Sequence, residues 1–179
     1  MNFTQNKEVK IVLVGYMGSG KTTIGKLLAK LLKINFLDLD DVIEKEEGMS
    51  ITDLFKNKGE IFFRKKENEY LNQVLQTESA FILSTGGGTP CYGTNMAAII
   101  NATENVFYIK VSIPELVRRL SSEKDARPMI SNFTEEELPE FIGKHLFERS
   151  FYYNMAKNKV SADGKSPEKI IQEIEALLI

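Results

Sequence analysis

Residues 15–22 read Gly15-Tyr16-Met17-Gly18-Ser19-Gly20-Lys21-Thr22, which satisfies the pattern G-x-x-x-x-G-K-[ST]. The apolar run Val9-Lys10-Ile11-Val12-Leu13-Val14 precedes it and a stretch of helical periodicity comes after it, the strand–loop–helix setting this phosphate loop requires. Backbone N–H groups of a glycine-rich turn converge on phosphate oxygens, and the next helix points its partial positive end at the same anion. Lys21 adds a charge for the outer phosphates, and Thr22 offers a hydroxyl to Mg²⁺. The bland alternative is a plain strand–helix turn. The setting favours nucleotide binding.

Outward from that loop, short β-branched or aromatic runs alternate with helical patterns. The strand candidates are 9–14, 34–38, 80–84, 105–111 and 159–162. In 23–33, Ile24, Leu27, Leu28 and Leu31 keep the i, i+3, i+4, i+7 spacing of one buried stripe, and Phe63, Tyr70, Leu71, Val74 and Leu75 do so less regularly in 59–77. At the end of the chain Ser166 reads as an N-cap and Pro167 as a first helical residue, followed by the apolar face Ile170, Ile171, Ile174, Leu177 and Leu178. The alternation implies βαβ units and an α/β fold, a parallel sheet covered on both faces with ligands at the carboxyl ends of its strands. No repeat, low-complexity tract or linker divides residues 1–179, so the expectation is a single domain.

Composition narrows the function classes. The chain has 179 residues, 42% of them apolar, enough for one full core. The net charge of −2, from 23 basic and 25 acidic residues, gives no argument for nucleic acid or a membrane surface as partner. No apolar run approaches the length of a membrane span, and the first residues lack the apolar segment of a signal peptide. Cys91 alone cannot form an internal disulfide, so a cytoplasmic location is expected.

The residues just past the strand ends carry the chemistry. After the second strand comes Phe36-Leu37-Asp38-Leu39-Asp40-Asp41. In an extended segment Asp38 and Asp40 project to the same side, where one carboxylate can organise a Mg²⁺ shell and the other can accept a proton from an attacking hydroxyl. The competing reading makes Asp40 or Asp41 the N-cap of a helix starting near Val42. After the third strand comes Thr85-Gly86-Gly87-Gly88-Thr89-Pro90. Three glycines admit a ligand close to the backbone, and the alternative is a tight turn needing positive φ. No acid ends this strand, so the metal-organising task of a Walker B aspartate shifts to Asp38.

Arg64, Arg127 and Arg149 could supply bidentate contacts to carboxylate or phosphate, although each taken singly reads as a surface residue. The polar segment 121–136 reads equally as a surface loop or as a lid that excludes water. His145 reads as surface or packing, Cys91 as structural, and the Tyr152–Tyr153 pair as helix packing.

Together these pieces resemble the shikimate kinase family. The resemblance rests on the phosphate loop through Gly25, the D-x-D of Asp38 and Asp40, Phe63-Arg64-Lys65-Lys66-Glu67, Ser84-Thr85-Gly86-Gly87-Gly88, Ala126-Arg127-Pro128-Met129 and Glu148-Arg149-Ser150-Phe151-Tyr152, in the family's order and spacing. It implies a three-layer αβα P-loop kinase of the nucleoside-monophosphate-kinase type, with strand order 2-3-1-4-5, a substrate-binding segment at about 39–67 and a lid at about 121–136. It implies ATP- and Mg²⁺-dependent phosphorylation of the 3-hydroxyl of shikimate, in the pathway to chorismate and the aromatic amino acids. The residues matching shikimate-binding positions are Asp40, Arg64, Gly86, Gly87 and Arg149, with Asp40 as candidate base. Gly18, Ser19, Gly20, Lys21, Thr22 and Thr23 match the phosphate loop, and Thr22 and Asp38 the metal positions. Arg127 matches a lid arginine on the ATP phosphates, which with Lys21 and Asp40 completes the catalytic set. Arg119 matches an adenine-side arginine, and Lys165 stands where the family often has arginine near adenine. A monomer is the family-based expectation. The rivals are a related small-molecule kinase such as gluconate kinase, and a nucleotide-dependent switch, against which stand the missing Walker B acid and the lack of an N-K-x-D pattern.

Overall fold

The computed structural model describes residues 9–123 and 129–179. Five strands, β1 (Lys10–Val14), β2 (Asn35–Asp38), β3 (Phe81–Ser84), β4 (Val106–Lys110) and β5 (Asn158–Ser161), form one parallel sheet of order β2-β3-β1-β4-β5. Each strand lies within one residue of its expected span. Between them run α1 (Lys21–Leu32), α2 (Leu39–Glu47), α3 (Ile51–Lys58), α4 (Glu60–Leu75), α5 (Asn95–Ala102), α6 (Ile113–Ser121), α7 (Leu138–Tyr153) and α8 (Pro167–Leu177), with a 3₁₀ turn at Thr89–Cys91. Helices cover both faces of the sheet, the layering expected from alternating strands and helices. Burial on both sides explains why β1 and β3 read as unbroken apolar runs: Ile11 to Val14 and Phe81 to Ser84 are essentially inaccessible.

Register decides where the site falls. Leu13 of β1 pairs with Ser84 of β3, and Asp38 of β2 pairs with the same Ser84. Three carboxyl-terminal strand ends therefore lie side by side, and the loops leaving them share one edge. α1 begins directly after the phosphate loop and packs on β1, β2 and β3, while α6 packs on α7. Among the described residues no helix is long and apolar enough to cross a membrane.

Two helical stripes differ from the expected ones. α1 buries Ile24, Gly25, Leu28 and Ala29, whereas Leu27 and Leu31 are 38% and 52% exposed. The reason is the small side of the helix. A Cβ at Gly25 would lie 2.4 Å from the Phe36 ring, so Gly25 and Ala29 allow the helix close to the sheet, and Leu27 and Leu31 are turned aside toward Ile171 on α8. On α8, Ile170, Ile171 and Ile174 are buried, whereas Leu177 is exposed near the helix end. Ser166 does cap α8, accepting from the Lys169 N–H.

The two leucines of α1 provide a test of this register. Leu28→Ala should cost about 2–5 kcal/mol of unfolding free energy, the range for a core leucine. Leu27→Ala should cost less than about 1 kcal/mol, as suits a partly exposed one. Urea unfolding of both variants checks this, and similar losses would contradict the observed stripe.

Candidate active site

The phosphate loop wraps the start of α1 through glycines in the left-handed region, Gly18 at φ 76° and Gly20 at φ 92°. The Lys21 ammonium is buried against the loop, donating to the carbonyls of Gly15 (2.8 Å) and Tyr16 (2.9 Å). Arg119, reaching over from α6, donates to the carbonyls of Gly18 (3.3 Å) and Ser19 (3.4 Å) and is held by Glu115 at 2.7 Å. Lys165, in the turn after β5, is paired with Glu173 at 2.7 Å. A second tie joins that turn to α6: the Ser112 N–H donates to Asp163 at 3.0 Å. Arg127 lies outside the described residues.

Asp38 ties the phosphate loop's helix to α2. Its Oδ2 accepts from the Thr22 hydroxyl (2.9 Å) and its Oδ1 from the Asp40 N–H (3.1 Å). Asp38, rather than Asp40 or Asp41, is the N-cap, and α2 starts at Leu39. Asp40 thus sits in the first helical turn and not in an extended strand. The cap bond still brings both carboxylates to one cleft. That cleft, about 250 Å³, is lined by Gly18, Gly20, Lys21, Thr22, Thr23, Asp38, Asp40 and the turn from Ser84 to Gly87. Burial, chiefly, and the nearby Asp38 and Glu67 carboxylates push Asp40 up from 3.8 to about 6, with Lys21 opposing them. Among the described residues no cluster of three metal-ligating His, Cys, Asp or Glu side chains occurs. One hydroxyl and one carboxylate suit a hard cation that keeps waters and takes phosphate oxygens, which is the habit of Mg²⁺.

A second cleft, about 290 Å³, adjoins the first and shares with it Met17, Asp40, Gly86 and Gly87. Arg64 and Arg149 line it together with Ile51, Phe55, Phe63, Glu67, Gly88 and Met129. The helical segment α3–α4 therefore supplies an apolar wall and α4 and α7 one guanidinium each. Arg64 donates to Glu67 at 2.8 Å and lies 3.7 Å from the Tyr92 ring centre. Its Nε is buried without a hydrogen bond. Glu67, 1% exposed, also accepts from Thr89 Oγ1 at 2.6 Å, so it locks Arg64 to the glycine turn.

None of Gly86, Gly87 and Gly88 has positive φ, so the tight-turn explanation fails. Space is the reason. A Cβ at Gly86 would meet Thr89 Oγ1 at 2.9 Å and Asp40 Oδ1 at 3.1 Å. At Gly87 it would meet the Met17 N at 3.2 Å, and at Gly88 the Arg64 guanidinium at 3.1 Å. Each glycine faces a different partner.

Of the expected residues, Gly18, Gly20, Lys21, Thr22, Thr23, Asp38, Asp40, Arg64, Gly86, Gly87 and Arg149 line the two clefts. Ser19 is buried in the loop itself, and Arg119 braces it from behind. Glu67, Thr89, Met17 and Tyr153 lie outside the expected set. Glu67 belongs to the F-R-x-x-E stretch, and its i, i+3 spacing from Arg64 is the signal that could have found it. Tyr153 packs as expected, its ring 5.2 Å from that of Tyr108, but its hydroxyl also donates to the Gly87 carbonyl at 2.5 Å. His145 hydrogen-bonds the Tyr16 hydroxyl (3.0 Å) and meets the Phe141 ring, which stacks on Phe133. Cys91 is half-buried beside the glycine turn, and burial raises its thiol to about 11, which keeps it inert at neutral pH.

The shikimate kinase family model matches residues 17–178, across both clefts. The chain belongs to the shikimate kinase family. It is 47% identical over 169 residues to the shikimate kinase of Flavobacterium psychrophilum, an alignment covering 94% of this chain and 98% of that one. The Flavobacterium johnsoniae shikimate kinase matches to the same degree. Among solved structures, the shikimate kinase of Bacteroides thetaiotaomicron superposes with a TM-score of 0.87 at 34% identity, covering 94% of this chain and 97% of that one. The Acinetobacter baumannii shikimate kinase, solved in complex with shikimate, does so with a TM-score of 0.85 at 30% identity, covering 95% and 92%. The five-strand order and its layering are those of these shikimate kinases.

The buried Glu67 gives a measurable consequence. Glu67→Ala removes the hydrogen-bonded carboxylate of Arg64, leaving it the looser ion pair to Glu60 at 3.5 Å, and the acceptor of Thr89; it should cost about 2–3 kcal/mol of stability, below the range for a fully buried pair because Arg64 is partly exposed. A loss under about 0.5 kcal/mol in urea unfolding would show that Glu60 alone holds Arg64 in place.

Proposed function

We propose that the two adjoining clefts are the donor and acceptor halves of an ATP-dependent shikimate kinase site, with Asp40 at their junction. The supporting observation is the shared lining: Asp40, Met17, Gly86 and Gly87 belong to both a phosphate-loop cleft and a cleft carrying two arginines. A cyclic hydroxy-acid fits the second cleft chemically. Arg64 and Arg149 suit its carboxylate, Phe55, Phe63 and Ile51 its ring carbons, and Asp40 with the glycine-turn amides its hydroxyls.

Asp40 is positioned to orient the 3-hydroxyl of shikimate and to accept its proton as the γ-phosphoryl group of ATP transfers in line. The donor residues are Gly18 to Thr23, with Lys21 and Arg127 countering charge on the phosphates and Arg119 and Lys165 on the adenine side. Mg²⁺, held by Thr22 and through Asp38, would neutralise phosphate charge when bound. Ser19 and the loop amides complete the cradle, and the segment around 121–136 serves as a lid. We further read residues 1–179 as a single domain acting as a monomer in the cytoplasm on small molecules, without nucleic acid or membrane. Product formation followed as ADP release with and without shikimate tests the assignment. Turnover should depend strongly on shikimate and fail with gluconate.

Asp40 links activity to stability. Its carboxyl holds the proton more tightly in the folded chain, about 6 against an ordinary 3.8, so ionisation opposes folding. The penalty is absent below about pH 4, grows between 4 and 6, and reaches about 3 kcal/mol above that window. Asp40→Asn should therefore lower kcat by about 10²–10⁴-fold while ADP binding survives. Melting at pH 8 should show it more stable than the parent, with the difference vanishing near pH 4. The parent's kcat should itself fall as pH drops through about 6. Near-normal turnover in the variant would remove Asp40 from the role of base.

Arg64→Ala and Arg149→Ala should each weaken shikimate by about 2–5 kcal/mol with ATP affinity little changed. Unchanged shikimate KM in both would disprove the carboxylate clamp.

A further inference from the structure

α7 carries His145, Arg149 and Tyr153 at four-residue intervals, one face of the helix. Arg149 opens on the acceptor cleft, and Tyr153, a turn further on, is wholly buried. The Tyr153 hydroxyl donates to the Gly87 carbonyl at 2.5 Å, and Arg149 stands against the same glycine, its Nη1 3.7 Å from where a Cβ on Gly87 would sit.

The consequence for the glycine turn is specific. Three successive glycines have wide conformational freedom, and holding them in one form is costly in entropy. Thr89 N–H donates to the Gly86 carbonyl and Cys91 N–H to the Gly88 carbonyl, which leaves the Gly87 carbonyl for a side chain to fix. Tyr153 is that side chain. Drawing this carbonyl toward α7 keeps its lone pairs off an anionic acceptor, and the planar peptide then sends the Gly88 N–H the opposite way.

We propose that Tyr153 is a positioning residue for acceptor binding, its hydroxyl setting the Gly87 peptide, beside Arg149, in the one arrangement that receives the acceptor. This rests on Arg149 and Gly87 belonging to the shikimate site.

Tyr153→Phe removes one oxygen and keeps the ring. Shikimate and ADP affinities are measured by calorimetry at 10 °C, where a variant of reduced melting temperature is still folded, alongside KM and kcat for both substrates. The expected result is a loss of roughly tenfold in shikimate affinity, the equivalent of one buried hydrogen bond, with ADP affinity unchanged within about twofold. Tyr108→Phe, altering the ring packed on Tyr153, should leave both affinities as they were. In an Arg149→Lys background the Tyr153→Phe loss should shrink, since both side chains stand against Gly87. Unchanged shikimate affinity in Tyr153→Phe, additive losses in the double variant, or a parallel fall in ADP and shikimate affinity would each overturn the proposal. If Arg149→Ala itself leaves shikimate KM unaltered, the underlying site assignment fails instead.

Discussion

The site depends on one carboxylate used twice. Asp38 ends β2, and its two oxygens accept from the Thr22 hydroxyl at the start of α1 and from the Asp40 N–H at the start of α2. Those two bonds tie together the phosphate loop's helix, the edge strand and the helix that presents the proposed base. Neither partner is adjacent to Asp38 on the sheet, and without this acceptor the start of α2 would lose its cap and the Thr22 hydroxyl its partner. The parallel register makes the arrangement possible, because Leu13, Ser84 and Asp38 reach the same edge together.

Much of this was legible in the sequence, for a physical reason. Parallel strands buried on both faces show as short apolar runs, and glycine, lysine and threonine at fixed spacing have few other uses than holding phosphate. The pairing of the Asp38 and Asp40 carboxylates is legible too, although a cap and not an extended strand aligns them. Sequence and structure part where close packing overrides periodicity. Leu27 and Leu31 fit the helical stripe, yet Gly25 against Phe36 rotates α1 and leaves both leucines at the surface. Tyr153 and Thr89 act through bonds to residues 66 and 22 positions away, which no local pattern encodes. The glycine turn is recognisable as a close approach, but that its three members face three different partners is a property of the assembled chain.

The cleft lined by Arg64 and Arg149 also shows how charge is balanced in a confined space. Two guanidiniums stand near two carboxylates, and Glu67 is buried so that Arg64 keeps a fixed place beside the glycine turn. The compromise is visible in Asp40, whose neighbours make ionisation unfavourable, and in the buried Arg64 Nε that lacks a hydrogen bond. Strain of this kind is expected where a cleft is shaped for a reaction and not for maximal stability.

Ile130 is wholly buried, and Phe133, three residues on, stacks on Phe141. Phe141 meets His145, and His145 bonds the hydroxyl of Tyr16 inside the phosphate loop. The segment around residues 130–133 and the phosphate loop, far apart in the chain, therefore share one continuous line of ring contacts and a hydrogen bond.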